Sequence, residues 1–126
     1  MKLLLLDTHV FLWWLTDDPA LRGSTKTAIS NPGNQVYISA ATVWELSIKQ
    51  ALGKVEAPED LSAVVEEERF FKLPITLYHA QRAGRLPWYH KDPFDRMLIA
   101  QAQAEGLLLV TNDQQIVQYA VQILPA

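Results

Sequence analysis

The stretch Leu3-Leu4-Leu5-Leu6-Asp7-Thr8 decides how the chain is read: an unbroken apolar run that stops on a carboxylate. Apolar runs this short, with no polar residue facing out, mark strands buried on both faces, as in a parallel sheet covered by helices. Asp7 then falls at the carboxyl end of the strand, the edge where ligands bind in open α/β sheets. A second reading also fits this position, because an aspartate before a helix caps it. Both readings stand on this stretch alone.

Composition narrows the field. The chain has 126 residues, enough for one domain over residues 1–126, and 49% of them are hydrophobic, enough for a core. It has no cysteine, so disulfides and thiolate metal sites are excluded, and a reducing, cytoplasmic setting is expected. Asp7 and His9 interrupt the leucines before they reach the length of a signal-peptide core, and no membrane span is expected. The formal net charge is −3, so the protein lacks the basic surplus that holds nucleic acid nonspecifically. Any contact with a phosphate backbone needs local cations or metal ions.

Working outward from the first strand, short strand patterns alternate with helical ones. His9 to Leu15 reads as a buried helix and Leu21 to Ser30 as a second, closed by Asn31, Pro32, Gly33 and Asn34. Val36 to Ser39 reads as a strand, and Ser39 as the cap of a helix on which Ala41, Trp44, Ile48 and Leu52 share an apolar face bordered by Glu45. Gly53 ends that helix. Pro58 and Glu59 open another, with Leu61, Val64 and Val65 inward and Glu66, Glu67 and Glu68 solvated. Phe71 to Ile75 is strand-like, and Thr76 caps a helix reaching about Arg85. The loop from Leu86 to Lys91 interleaves Trp88 and Tyr89 with His90 and Lys91, a mixture that serves either packing or base stacking. Asp92 as cap, Pro93 as first residue and Asp95 in the first turn start a helix that stops at Gly106. Leu107 to Val110 is a second fully apolar strand, followed by Thr111, Asn112 and Asp113, so Asp113 repeats the placement of Asp7. A helical turn over Gln114 to Gln118 and an edge strand over Val121 to Leu124 complete the chain.

Alternating strands and helices predict a mainly parallel sheet of about four to five strands. In such units strand carboxyl ends and helix amino ends share one edge. Asp7, Glu45, Asp95 and Asp113 therefore meet there despite their separation in sequence. Each has a plainer reading: Asp95 as a helix-dipole partner, Glu45 as one half of a pair with Lys49. Together, however, four close carboxylates repel and raise one another's pKa, and divalent cations relieve that. Oxygen ligands without cysteine suit Mg²⁺ or Mn²⁺, which activate water for attack on a phosphodiester. Lys49, Lys91 and Arg96 are candidate phosphate contacts.

At these residues the sequence resembles the PIN-domain ribonucleases, and among them the VapC-type toxins of toxin–antitoxin pairs. The segments that carry the resemblance are LLLLDTHVFLWWL, SAATVWELSIKQALGKV, HKDPFDRMLIAQA and LLLVTNDQQI, which span nearly the whole chain. The resemblance implies a three-layer α/β/α fold and an acidic quartet of Asp7, Glu45, Asp95 and Asp113 that binds Mg²⁺ or Mn²⁺ and cuts RNA. It favours Asp95 over Asp92, which reverts mainly to a cap, and makes Thr8, Thr111 and Asn112 candidate supporting residues. It further implies a homodimer and a cognate antitoxin. Two rivals remain: a catalytically silent α/β interaction module, and a phosphoacceptor receiver, which needs a lysine late in the chain. The last lysine here is Lys91, ahead of the fourth acid.

Overall fold

In the computed structural model, which describes residues 1–126, the leucine run forms strand β1 (Leu3–Leu6) at the centre of a five-stranded sheet. The other strands are β2 (Gln35–Ser39), β3 (Phe71–Leu73), β4 (Leu108–Thr111) and β5 (Ile123–Pro125), in the order β3-β2-β1-β4-β5. All four pairings are parallel, with Leu4 opposite Val36 on one side and Leu108 on the other. Six helices connect them: α1 (Thr8–Thr16), α2 (Gly23–Ser30), α3 (Ala40–Ala51), α4 (Leu61–Glu67), α5 (Leu77–Arg85) and α6 (Pro93–Glu105). A single 3-10 turn, Ile116–Gln118, precedes β5. The expected mainly parallel sheet of four to five strands is thus entirely parallel and has five.

Successive residues of a strand point to opposite faces, and β1 shows why all four of its residues are leucine. Leu4 and Leu6 join one buried cluster with Val10 and Phe11 of α1, Ile29 of α2, Leu46 of α3 and Val65 of α4. Leu5 joins a second on the other side, with Ala83 of α5 and Leu98, Ile99 and Ala102 of α6. Helices on both faces make three layers. Burying each leucine contributes roughly 1.5–3 kcal/mol, so a polar residue in β1 would remove a contact whichever face it met.

The strand order reverses at β1: β2 and β3 extend to one side, β4 and β5 to the other. A crevice opens at such a point outside the carboxyl ends of the two flanking strands, here β1 and β4. The caps that aim chain segments into it are those expected. Ser39 Oγ accepts from Ala41 N–H at 3.0 Å and starts α3, and Thr76 starts α5. Asp92 starts α6 ahead of Pro93, and Gly106, at φ +66°, ends it in a left-handed conformation that costs glycine little.

Helix α3 corrects the sequence reading. Its inward residues are Ala41, Thr42, Glu45 and Leu46, whereas Trp44 is 60% exposed and Leu52 61% exposed. The buried stripe therefore contains the glutamate, and Trp44, Ile48 and Leu52 lie on the outer side; the helix is rotated so that Glu45 reaches the sheet edge. Truncation distinguishes the two faces. Leu46→Ala is expected to lose about 2–5 kcal/mol in denaturant unfolding, and Leu52→Ala to stay within about 0.5 kcal/mol of the parent.

Candidate metal centre

Asp7 holds two positions at once. Its backbone N–H extends the β1–β4 ladder by bonding to Val110 C=O at 3.1 Å, and its Oδ1 accepts from Val10 N–H at 2.8 Å as the N-cap of α1. The capping and site readings are therefore not alternatives: Oδ1 caps the helix, and Oδ2 remains for the crevice. Burial raises the Asp7 pKa above its ordinary value, and Asp113 adds to the rise, while Thr111, the Val10 amide and His9 oppose it.

Glu45, 6% exposed, has both oxygens committed. Thr8 Oγ1 donates to Oε1 at 2.7 Å, and Lys49 Nζ pairs with Oε2 at 2.9 Å. The expected pair with Lys49 exists, and it ties that lysine to the site rather than to bulk solvent. Thr8 also contacts Thr42 Oγ1 at 3.3 Å, so the first turn of α1 is bonded to the face of α3 that presents Glu45.

Asp95 and Asp113 meet across a residue that the sequence reading did not select. His90 Nε2 lies 2.9 Å from Asp95 Oδ2 and 3.0 Å from Asp113 Oδ2, and the three side chains place one ligand atom each within 4.8 Å of one another. His90 sat unassigned among the loop's aromatic and basic residues; its place two residues ahead of the Asp92 cap was the available signal. Asp113 is fixed from its other side, where Oδ1 accepts from Gln115 N–H at 2.8 Å and Thr111 Oγ1 accepts from the Asp113 amide. The Asp95 carboxyl is pushed up to about 7, first by desolvation, then by the negative charge of Asp92, Glu45 and Asp7, with His90 opposing. Asp95 feels the charge of Glu45 and Asp7, and Asp7 that of Asp113, so the four sequence-selected acids lie within charge range of one another, although only Asp95 and Asp113, with His90, bring ligand atoms within 4.8 Å.

Three supporting candidates have other partners. Arg96 is 4% exposed, and its guanidinium donates to the carbonyls of Ala83, Leu86, Pro87 and His90 while lying 3.8 Å from the Trp88 ring. It braces the loop before α6 and is not free to meet a phosphate, which corrects that expectation. Asn112 Oδ1 accepts from Ala126 N–H, so it anchors the last residue rather than the site. Asp92 Oδ1 accepts from the amides of Phe94 and Asp95, the cap expected of it. Lys91 is exposed beside His90.

The donor set fits a hard divalent cation. It consists of carboxylate oxygens, partly desolvated and mutually repelling, with no sulfur, and a cation offsets the burial and the repulsion that raise Asp7 and Asp95. Asp7 Oδ2, Glu45, Asp95 and Asp113 are the groups that would hold it.

The sign of the pH dependence follows from Asp95. Folded, it keeps its proton up to about 7; its ordinary value is 3.8, so between these values the folded state carries the extra proton. Stability from this group is full below the lower value and is lost as pH rises through the upper one. Between about pH 5 and about pH 8 the melting temperature of the metal-free protein should therefore fall more steeply than that of Asp95→Asn. Equal slopes would contradict the assignment.

Comparison with known proteins places this geometry. The PIN domain family model matches residues 4–122. Ribonuclease VapC22 of Mycobacterium tuberculosis (strain ATCC 25618 / H37Rv) is 27% identical over 119 residues, covering 92% of this chain and 91% of its own. Among solved structures, VapBC2 from Rickettsia felis, bound to a promoter DNA fragment, superposes with a TM-score of 0.72 at 16% identity, covering 99% of both chains. DNA-bound VapBC from Salmonella typhimurium gives 0.70 at 23% identity, covering 99% of this chain and 98% of that one. At these identities the structures attest the fold, and the family match over nearly the whole length attests the kinship. The chain belongs to the PIN domain family.

Proposed function

We propose that residues 1–126 act as one PIN domain, a metal-dependent endoribonuclease that serves as the toxin of a toxin–antitoxin pair. The observation that carries this reading is the gathering of Asp7, Glu45, Asp95 and Asp113 within charge range of one another, with the Asp95 carboxyl raised to about 7 first by burial and then by Asp92, Glu45 and Asp7. The ribonuclease name of the relative similar over 92% of the chain supports the activity, and the VapBC complexes among its structural neighbours support an antitoxin partner. We assign Mg²⁺ or Mn²⁺ as the ion, a homodimer as the assembly and the cytoplasm as the compartment. No helix is long and apolar enough to cross a membrane.

A bound divalent cation supplies Lewis-acid activation of water and neutralises charge on the leaving oxygen. The chain's own groups prepare the place. Asp7, capped into α1, fixes one carboxylate rigidly at the strand end. Thr8 and Lys49 orient Glu45, and Asp95 releases its proton when positive charge arrives. Lys91, exposed next to His90 in the chain, is the cation left to meet the RNA backbone, since Arg96 is buried and Lys49 is paired with Glu45. Trp88 is 71% exposed in the same loop and offers a ring face for an unpaired base. The four acids together disfavour the silent interaction module, and the order of Lys91 before Asp113 disfavours the receiver.

Purified protein free of antitoxin should cut RNA when Mg²⁺ or Mn²⁺ is added, and its melting temperature should rise at millimolar metal. Asp7→Asn should lower the cutting rate by about 100-fold or more, yet keep its fold, because asparagine caps helices as well as aspartate does. Cutting at the parental rate by Asp7→Asn would overturn the reading.

A further inference from the structure

We propose that His90 is a positioning residue of this centre: its Nε2–H donates to the Asp113 carboxylate, lies against the Asp95 carboxyl, and sets the spacing of the two for the cation. The proposal rests on the metal-nuclease reading above and adds a role to a side chain outside the acidic quartet. Three observations carry it.

The first is the tautomer. Asp92 N–H points at His90 Nδ1 at 3.3 Å, so Nδ1 presents a lone pair. The ring proton of neutral imidazole then resides on Nε2, the nitrogen 2.9 Å and 3.0 Å from the two carboxylate oxygens. A nitrogen that bears this proton donates to carboxylates and does not ligate a metal. The arrangement is therefore a hydrogen bond to Asp113 with Asp95 Oδ2 held 2.9 Å from the same nitrogen, a supporting contact of the sort that orients metal ligands.

The second is the frame around the ring. His90 is 7% exposed, and its backbone is pinned on both sides. Its N–H donates to the Tyr119 hydroxyl at 2.9 Å, and its C=O accepts from Arg96 Nη1 at 3.2 Å. The Tyr119 hydroxyl in turn donates to Pro87 C=O, which Arg96 also reaches at 2.9 Å. Burying a guanidinium is costly unless its donors are used, and here they are spent on the loop that carries His90.

The third is which oxygens are taken. His90 meets Oδ2 of both acids, while Asp113 Oδ1 is held by Gln115 N–H, so Asp113 is oriented through both oxygens by N–H groups. Asp95 keeps Oδ1 free of the imidazole. The two carboxylates come close without a second negative group between them, and each oxygen retains a lone pair for a cation.

The test uses the full-length wild-type protein and two variants. Long-range ¹H–¹⁵N NMR of the imidazole should show the proton on Nε2 in metal-free protein and again at saturating Mg²⁺. Loss of that proton on adding Mg²⁺, with a metal-bound Nε2, would overturn the proposal by making His90 a ligand; a proton on Nδ1 in the metal-free protein would overturn it outright. Calorimetric titration with Mn²⁺ should give a Kd about 10-fold to 100-fold weaker for His90→Ala. His90→Gln, whose amide places an N–H near the position of Nε2, should recover most of that loss. Affinity unchanged or tighter in His90→Ala, or no recovery in His90→Gln, would also overturn it. RNA cleavage by the wild type is read in parallel. Absence of cleavage while Mn²⁺ still binds, and binds more weakly to His90→Ala, sinks the nuclease reading alone; cleavage with undiminished Mn²⁺ affinity in His90→Ala sinks the His90 role alone; and absence of metal binding sinks both.

Discussion

Everything at the functional edge depends on holding negative charges close together in a partly desolvated place, against their repulsion. Asp7 and Asp95 both show the strain as raised pKa values, with burial the first cause in each. The fold resists it by rigid attachment. Asp7 is gripped by the β1–β4 ladder and by the first turn of α1, Glu45 by Thr8 and Lys49, and Asp113 by Gln115 and His90. Each of these three is held by at least two hydrogen bonds, and a proton or a cation relieves the remaining repulsion.

The apolar architecture exists in service of that rigidity. Because β1 lies between two parallel neighbours and under helices on both faces, its leucines have a single register in which Leu4, Leu5 and Leu6 are all fully buried. A slip of one residue would exchange the two clusters and move Asp7 off the strand end. Reversal of strand order next to β1 then leaves the crevice between β1 and β4 as the place where the acids converge.

The loop before α6 adds a second level of support. Arg96 looks, in sequence, like a cation beside an acid in a nuclease. In the fold it is an internal brace whose donors meet four backbone carbonyls and whose plane lies on Trp88. That brace and Tyr119 fix the segment from Leu86 to Lys91, which sets the imidazole of His90 between two carboxylates. Trp88 rests on the same brace, and exposed Lys91 directly follows His90.

The sequence by itself determined the strands, most of the caps and the candidacy of the four acids, because these depend on short-range rules: an apolar run of strand length, Asp92 before Pro93, Gly106 after a helix, a carboxylate after each of the two leucine-rich strands β1 and β4. It also carried the family resemblance, since those local signals recur in a fixed order. Tertiary structure alone decided the rotation of α3, the partners of Arg96 and Asn112, and the place of His90. Helical spacing reported that Trp44, Ile48 and Leu52 share a face but not which face the sheet would cover, and the burial of Glu45 answered that. A side chain's partners come from segments distant in the chain: Asn112 meets Ala126, and His90 meets Asp113 across 23 positions. No local pattern encodes such meetings, because they arise only when packing brings the segments together.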